Sequence, residues 1–329
     1  MHPIKILILR FSSIGDIVLT TPVVRVLKEQ LEEAEIHYFS KPAYREILEA
    51  NPHIDKVHLL QENLSEQLKK LDEENFDFII DLHNNIRTHQ VKTRLKAPYF
   101  SVNKLNFKKW LLVNFKVNKL PDKHIVDRYF DTLDLLDVEP DKKGLEYFLR
   151  PEDEIDIKEL PEFLHEKYIG FAIGAKHETK KLTQSKIEDI ISKLDHPVIL
   201  LGDKNDEETG DLIAGNLPGK AYNACGKFSI NQSASLVKQS SLMITHDTGL
   251  MHVAAAFNKI ILSVWGNTVP EFGMYPYLPH PGSKIFEVKG LKCRPCSKIG
   301  YKKCPRGHFK CINDIDDYEL AKYANSLLR

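Results

Sequence analysis

Ile4-Lys5-Ile6-Leu7-Ile8-Leu9 runs directly into Arg10-Phe11-Ser12-Ser13-Ile14-Gly15-Asp16-Ile17-Val18, and reading these two pieces together decides the fold. The first is a nearly continuous apolar run of strand length, the pattern of a strand buried on both faces of a parallel sheet. From Ile17 the apolar residues Ile17, Val18, Val24, Leu27 and Leu31 recur near helical spacing, and the helix they predict yields to a strand at Ile36-His37-Tyr38-Phe39-Ser40. The alternation continues with predicted strands over 56–60, 76–82 and 99–102 and a polar helix around 64–71. A second series follows, with strands over 168–173, 197–201, 242–245 and 260–264 and helices between them. Strands alternating with helices predict an α/β protein, here two doubly wound Rossmann-like domains facing a central cleft. The Pro/Glu/Asp-rich stretch 140–161 is the natural linker, which divides the chain into a first domain over 1–150 and a second over 151–315. A last helix over 316–329 is expected to pack back on the first domain.

Composition agrees. The 329 residues are 42% hydrophobic and 28% charged, enough for two domains each with its own core. No run approaches the roughly 18 apolar residues of a membrane-spanning helix, and five Cys, four of them close together, do not make a secreted disulfide framework, so a reducing cytoplasmic compartment is expected. The net charge is zero, but unevenly so. Residues 82–121 carry nine Lys/Arg and no acid, and 288–313 carry eight with no acid, leaving 29 basic residues against all 46 acids elsewhere. Two positive regions on an acidic body suit a protein that meets a polyanion. The first window interleaves its lysines with Phe107, Trp110, Leu111, Leu112 and Phe115, which points to an anionic membrane surface or an anionic amphiphile, with nucleic acid and a merely solvated face as rivals.

Three loops can carry chemistry. Asp16 opens a helix straight after the first strand, as a simple cap or as a carboxylate poised to accept a proton; the loop is not GxGxxG, which counts against an ordinary dinucleotide site. In Ile244-Thr245-His246-Asp247-Thr248-Gly249-Leu250-Met251-His252 a strand stops and Thr248 and Gly249 open a helix whose free amides suit a diphosphate, with His252 in the first turn. The loop Lys176-His177-Glu178-Thr179-Lys180-Lys181 can add cationic donors. Separately, Cys293, Cys296, Cys304, His308 and Cys311 suffice for a tetrahedral structural zinc, although the spacing matches no standard finger and free thiols are the alternative.

Together these pieces resemble glycosyltransferase family 9, the heptosyltransferases of lipopolysaccharide assembly. The resemblance rests on Phe11-Ser12-Ser13-Ile14-Gly15-Asp16-Ile17-Val18-Leu19-Thr20-Thr21-Pro22, on His246-Asp247-Thr248-Gly249-Leu250-Met251-His252 and on the Cys/Pro/His segment. It implies the two-domain GT-B fold, an inverting transfer of heptose from ADP-heptose to the lipopolysaccharide core, Asp16 as general base, and a donor diphosphate held by Asp247, Thr248, Gly249 and His252. It also implies a diphosphate-neutralising Lys: the family's Lys-x-Trp-Pro pattern selects Lys180, but Leu182-Thr183 replaces Trp-Pro, so Lys181 stays open. The family's ribose-contacting acid falls in Asp203-Lys204-Asn205-Asp206-Glu207, without a clean match. Ser12, Ser13, Arg87, Lys104 and Lys108 are expected to meet the acceptor. The expectation is an enzyme peripheral to the inner membrane, with no cofactor, catalytic metal or nucleic-acid partner. Alternatives are another nucleotide sugar with a different surface glycan, a nucleotide-sugar epimerase, or a nucleic-acid-binding protein.

Overall fold

The computed structural model describes residues 3–329. The apolar run at the start forms β1 (Ile4–Leu9), with β2 (Ala34–Ser40), β3 (Lys56–Leu59), β4 (Phe78–Asp81) and β5 (Tyr99–Ser101) in one sheet of order β3-β2-β1-β4-β5. Every pairing in it is parallel. Central β1 buries Ile6 to Leu9 completely, as a continuous apolar run requires. The second sheet contains β6 (Ile169–Ala172), β7 (Val198–Leu201), β8 (Ala221–Asn223), β9 (Leu242–His246), β10 (Ile261–Trp265) and β11 (Lys284–Glu287), in the order β11-β10-β9-β6-β7-β8, again all parallel. The predicted α/β class is therefore observed, while β8 and β11 were absent from the sequence reading. Both are short edge strands with polar members, and only their neighbours identify them.

The helix expected from Ile17 is two helices, Ile14–Val18 and Thr21–Gln30. Pro22 has no N–H to give the Val18 carbonyl, and the Thr21 hydroxyl takes that acceptor instead at 2.8 Å. The break keeps the first helix short and leaves Asp16 in its opening turn.

The chain divides into two compact units, one of residues up to Leu105 with Lys123–Phe148, the other of Asn106–Asp122 with Leu149–Arg329. The second unit takes up the chain at Leu149, and the helix Asn106–Phe115, which lies within the first domain expected from the sequence, belongs to the second unit. Its buried Leu112 packs with Val269 and Phe272. Segment 123–148 stays with the first unit partly through Arg25, which is almost wholly buried and grips Asp141 at 2.7 and 2.9 Å, Glu146 at 2.9 Å and the Gly144 carbonyl at 3.0 Å. The C-terminal helix also departs from expectation. Asp317–Leu328 buries Leu320, Ala321 and Ala324 in the second unit's own core and ties to the helix Gln184–Ser192 through Asp317, 3.1 Å from Lys186 and 2.7 Å from Lys193. An apolar stripe predicts that a helix docks, not where.

Candidate active site

In the first unit, the loop after β1 holds Asp16 from both sides. Its Oδ1 lies 2.5 Å from Arg10 Nη2, and its Oδ2 accepts from the Ser13 N–H and hydroxyl at 3.0 and 2.9 Å. Arg10 is itself fixed, donating to the Ser12 carbonyl at 2.8 Å, the Leu82 carbonyl at 2.5 Å and the Tyr129 hydroxyl at 3.0 Å. Burial disfavours its charge, but Asp16, together with Tyr129 and Tyr38, more than offsets burial and raises the guanidinium pKa. The carboxylate is thus oriented by a rigid partner, as a proton acceptor needs.

The next strand end supplies a residue the sequence reading missed. Fully buried Asp81 accepts from the His83 and Asn84 amides at 3.1 and 2.6 Å and pairs with Lys92 at 2.7 Å, so the turn after β4 is held from beneath. His83 Nδ1 accepts from the Phe11 N–H at 3.2 Å. Burial, with help from Arg10 and Lys104, pushes the His83 pKa down to about 4, so the ring is neutral and its Nε2 carries the proton. A histidine following an apolar strand carried no spacing signal. Of the expected acceptor residues, Ser12 and Ser13 form the Asp16 loop, Arg87 lies 5.6 Å over the Phe11 ring, and Lys104 reaches the Asn84 carbonyl at 3.4 Å. Lys108, by contrast, sits on the helix Asn106–Phe115 in the other unit, because Leu112 draws that helix there.

In the second unit the turn after β9 is a convergence point. Lys180 Nζ lies 2.5 Å from Asp247 Oδ2 and 3.2 Å from the Asp247 carbonyl, and the Thr268 hydroxyl donates to the same Oδ2 at 2.9 Å. Thr248 is the N-cap of the helix Gly249–Ala256, and its side chain makes no capping bond to that helix. The first-turn amides are left to a ligand or water. His252 is buried along the same helix. The Lys180 and Thr268 loops meet through backbone: the Asn267 N–H donates to the Thr179 carbonyl at 3.3 Å, and a Cβ on Gly266 would come within 2.6 Å of that oxygen. Arg294 then pins the loop, donating to the Gly266 carbonyl at 2.6 Å and the Thr268 carbonyl at 2.8 Å.

Lys181 faces elsewhere, pairing with Asp206 at 3.0 Å and Glu178 at 3.2 Å. Asp206 also accepts from the Asp203 N–H at 3.1 Å, so both its oxygens are engaged. A cavity of about 390 Å³ opens beside Lys181, Asp206, Leu182, His308 and Phe309 and does not include the Asp247 turn. His246 Nε2 accepts from the Leu182 N–H at 2.9 Å, and burial, reinforced by Lys181, lowers its pKa to about 3. The Cys segment is reduced, with Cys293 Sγ 3.7 Å from His308 Nε2. Cys296 and Cys311 are pushed up to about 11, mainly by burial and then by neighbouring thiols. Among the described residues only His37, His58 and Glu74 bring three metal-capable atoms within 4.8 Å of one another.

The sequence model of glycosyltransferase family 9 (heptosyltransferase) matches residues 65–303. The chain is 25% identical to lipooligosaccharide heptosyltransferase 2 of Haemophilus influenzae over 98% of this chain and 99% of that one. Its fold is similar to the crystal structure of a family 9 glycosyl transferase from Veillonella parvula, with a TM-score of 0.79 and 22% identity over 100% and 98% of the two chains. It also resembles the E. coli ADP-heptose LPS heptosyltransferase II, with a TM-score of 0.75 and 20% identity over 98% of each. These likenesses identify the two parallel-sheet units as a GT-B fold.

Proposed function

The chain belongs to glycosyltransferase family 9, the heptosyltransferases, and from that premise we propose that it moves a heptose from ADP-heptose to the lipopolysaccharide core with inversion and without a catalytic metal. Asp16 is the general base: it takes the proton of the acceptor hydroxyl as that oxygen attacks the anomeric carbon. The bond from that carbon to the diphosphate breaks on the opposite side, and its electron pair leaves with ADP. Negative charge then grows on the diphosphate, where the amides after Thr248 and the Lys180 ammonium stabilise it. Lys180 takes this role rather than Lys181, because Lys180 reaches the Asp247 turn while Lys181 is committed to Asp206. The observation that carries the reading is the uncapped start of the helix Gly249–Ala256 with Lys180 and Thr268 gathered on Asp247 beside it. It is supported by the near full-length relative and by the likeness to the E. coli ADP-heptose LPS heptosyltransferase II.

The acceptor is an anionic amphiphile, so the enzyme works at the cytoplasmic face of the inner membrane. No helix is long and apolar enough to cross a membrane among the described residues. The helix Asn106–Phe115 instead supplies a docking face, with Phe107, Trp110 and Phe115 exposed by 69%, 47% and 61%, Phe107 stacked on Trp110 and Trp110 meeting Phe115 edge-on, and with Lys108 on the same helix. The reading is tested by offering ADP-, GDP- and UDP-sugars with truncated lipopolysaccharide and weighing the product. A mass increase of one heptose from ADP-heptose alone is expected; a hexose adduct from another donor would redirect the assignment.

A further inference from the structure

On the first sheet, Lys5, Leu7 and Leu9 of β1 stand in register with Glu35, His37 and Phe39 of β2, and His37 and Phe39 stand in register with Lys56 and His58 of β3. All lie on one face. On β1 and β2 its C-terminal half is apolar, with Leu9 and Phe39 packed in one cluster with Leu68 and Leu71 of the helix Leu64–Asp72. Toward the strand starts the same face turns polar, and Glu74 from the loop after that helix closes over it. Asp16 follows the opposite, C-terminal end of β1, so the reaction proposed above makes no use of this cluster.

We infer that His37, His58 and Glu74 form a binding site for a divalent transition metal of the zinc class, which cross-links β2, β3 and the chain entering β4. One ligand atom from each residue lies within 4.8 Å of the other two. His37 Nε2 is 2.8 Å from Glu35 Oε1, which makes Nε2 the protonated nitrogen and leaves the Nδ1 lone pair aimed at His58 Nε2, 2.8 Å away. A carboxylate behind the ligating imidazole is the usual outer support of a metal-bound histidine. Burial, followed by His37, lowers the His58 pKa to about 4, so the His58 ring is neutral, as a ligand must be. The rings stack at 5.1 Å and both meet Phe76 edge-on, at 5.0 and 6.3 Å, which restricts their rotation. Two imidazoles and one carboxylate with a position left for water match zinc-class chemistry and not calcium or magnesium.

Binding is balanced without redox change. The proton shared between His58 Nε2 and His37 Nδ1 is displaced, and His58 stays neutral by carrying its proton on Nδ1. Glu74 exchanges the Lys56 ammonium, its present partner, for the metal, while Lys5 sits 3.9 Å from both Glu74 and Glu35. Lys56 is half exposed and swings into water. The competing ammonium keeps the affinity moderate, which makes a diagnostic prediction.

Chelator-treated full-length protein is titrated with Zn²⁺ by calorimetry and with Co²⁺ by absorption. One site with Co²⁺ bands free of thiolate charge transfer is expected. His58→Asn and Glu74→Gln should each weaken it at least about tenfold, and Lys56→Gln should tighten it about threefold or more. If His58→Asn does not fold, Lys56→Gln still decides: unchanged or weaker binding overturns the site. A thiolate charge-transfer spectrum insensitive to Glu74→Gln would place the metal on the Cys293–Cys311 segment and also overturn it.

Discussion

Asp16 and Lys180 make opposite demands on a kinetic experiment. Asp16→Asn keeps an acceptor for the Ser13 amide while removing the proposed base, so turnover should fall at least ~10²-fold with ADP affinity nearly unchanged. Retained activity would leave Asp16 as a helix cap held by Arg10. Lys180→Ala removes the cation proposed to meet the diphosphate before and during bond breaking, so donor affinity and turnover should both drop; Lys181→Ala should spare donor affinity, and the reverse pattern would exchange their roles. His246 gives a prediction about pH. Its folded pKa, about 3, lies below the ordinary value near 6.5. Above about pH 7 both states are neutral there and stability is untouched. As pH falls through 6.5 only the unfolded chain takes the proton, so stability declines, by about 2 kcal/mol at pH 5. Urea denaturation at pH 7 and 5 should show that loss in wild type and a smaller one in His246→Gln; equal losses would place the acid sensitivity in other groups.

At the scale of elements, the helix Asn106–Phe115 is the piece whose surface is hardest to explain by folding alone. Three large rings lie open to solvent while Leu112 alone is buried. Lys109 is spent over the Phe272 ring, 5.7 Å away, and Lys116 donates to the Val113 and Pro295 carbonyls at 2.7 and 2.6 Å, which leaves Lys108 and Lys119 as exposed charge. Each Lys near an anionic surface contributes about 1 kcal/mol, screened within a Debye length. Trp110→Ser with Lys108→Glu and Lys119→Glu should cut sedimentation with anionic liposomes at low salt and raise the acceptor KM, leaving the donor KM alone. Wild-type protein that ignores such vesicles would return this face to plain solvent exposure.

For the whole molecule, the donor site proposed in the second unit predicts ligand-linked stabilisation. ADP at one hundred times its Kd should stabilise the binding-competent fold by about 2.7 kcal/mol, read as a rise in Tm. UDP and a short oligonucleotide should not do so at the same concentration. An equal rise with the oligonucleotide would favour the nucleic-acid reading of the two basic windows; no rise with ADP would count against the diphosphate site.

Whatever depends on near neighbours was legible from the order of residues alone. Buried parallel strands must be apolar almost throughout, so nine of the eleven were legible, as were the loops carrying Asp16, Asp247 and Lys180 at their C-terminal ends. The family motifs were legible for the same reason, because a helix start that binds a diphosphate needs particular residues in immediate succession. Tertiary structure decided whatever depends on distant partners. Edge strands β8 and β11 carry too little apolar pattern to be read alone. The helix 106–115 went to the second unit because Leu112 found Val269 and Phe272, and the C-terminal helix did likewise because its stripe met the helix Gln184–Ser192. Lys180 and Lys181 are adjacent and alike in sequence; Asp247 and Asp206, some 67 and 25 residues away along the chain, part them. His83, and the pairing of His37 with His58, were silent for the same reason: a histidine's role is set by what its two nitrogens meet, and those partners come from other strands and loops.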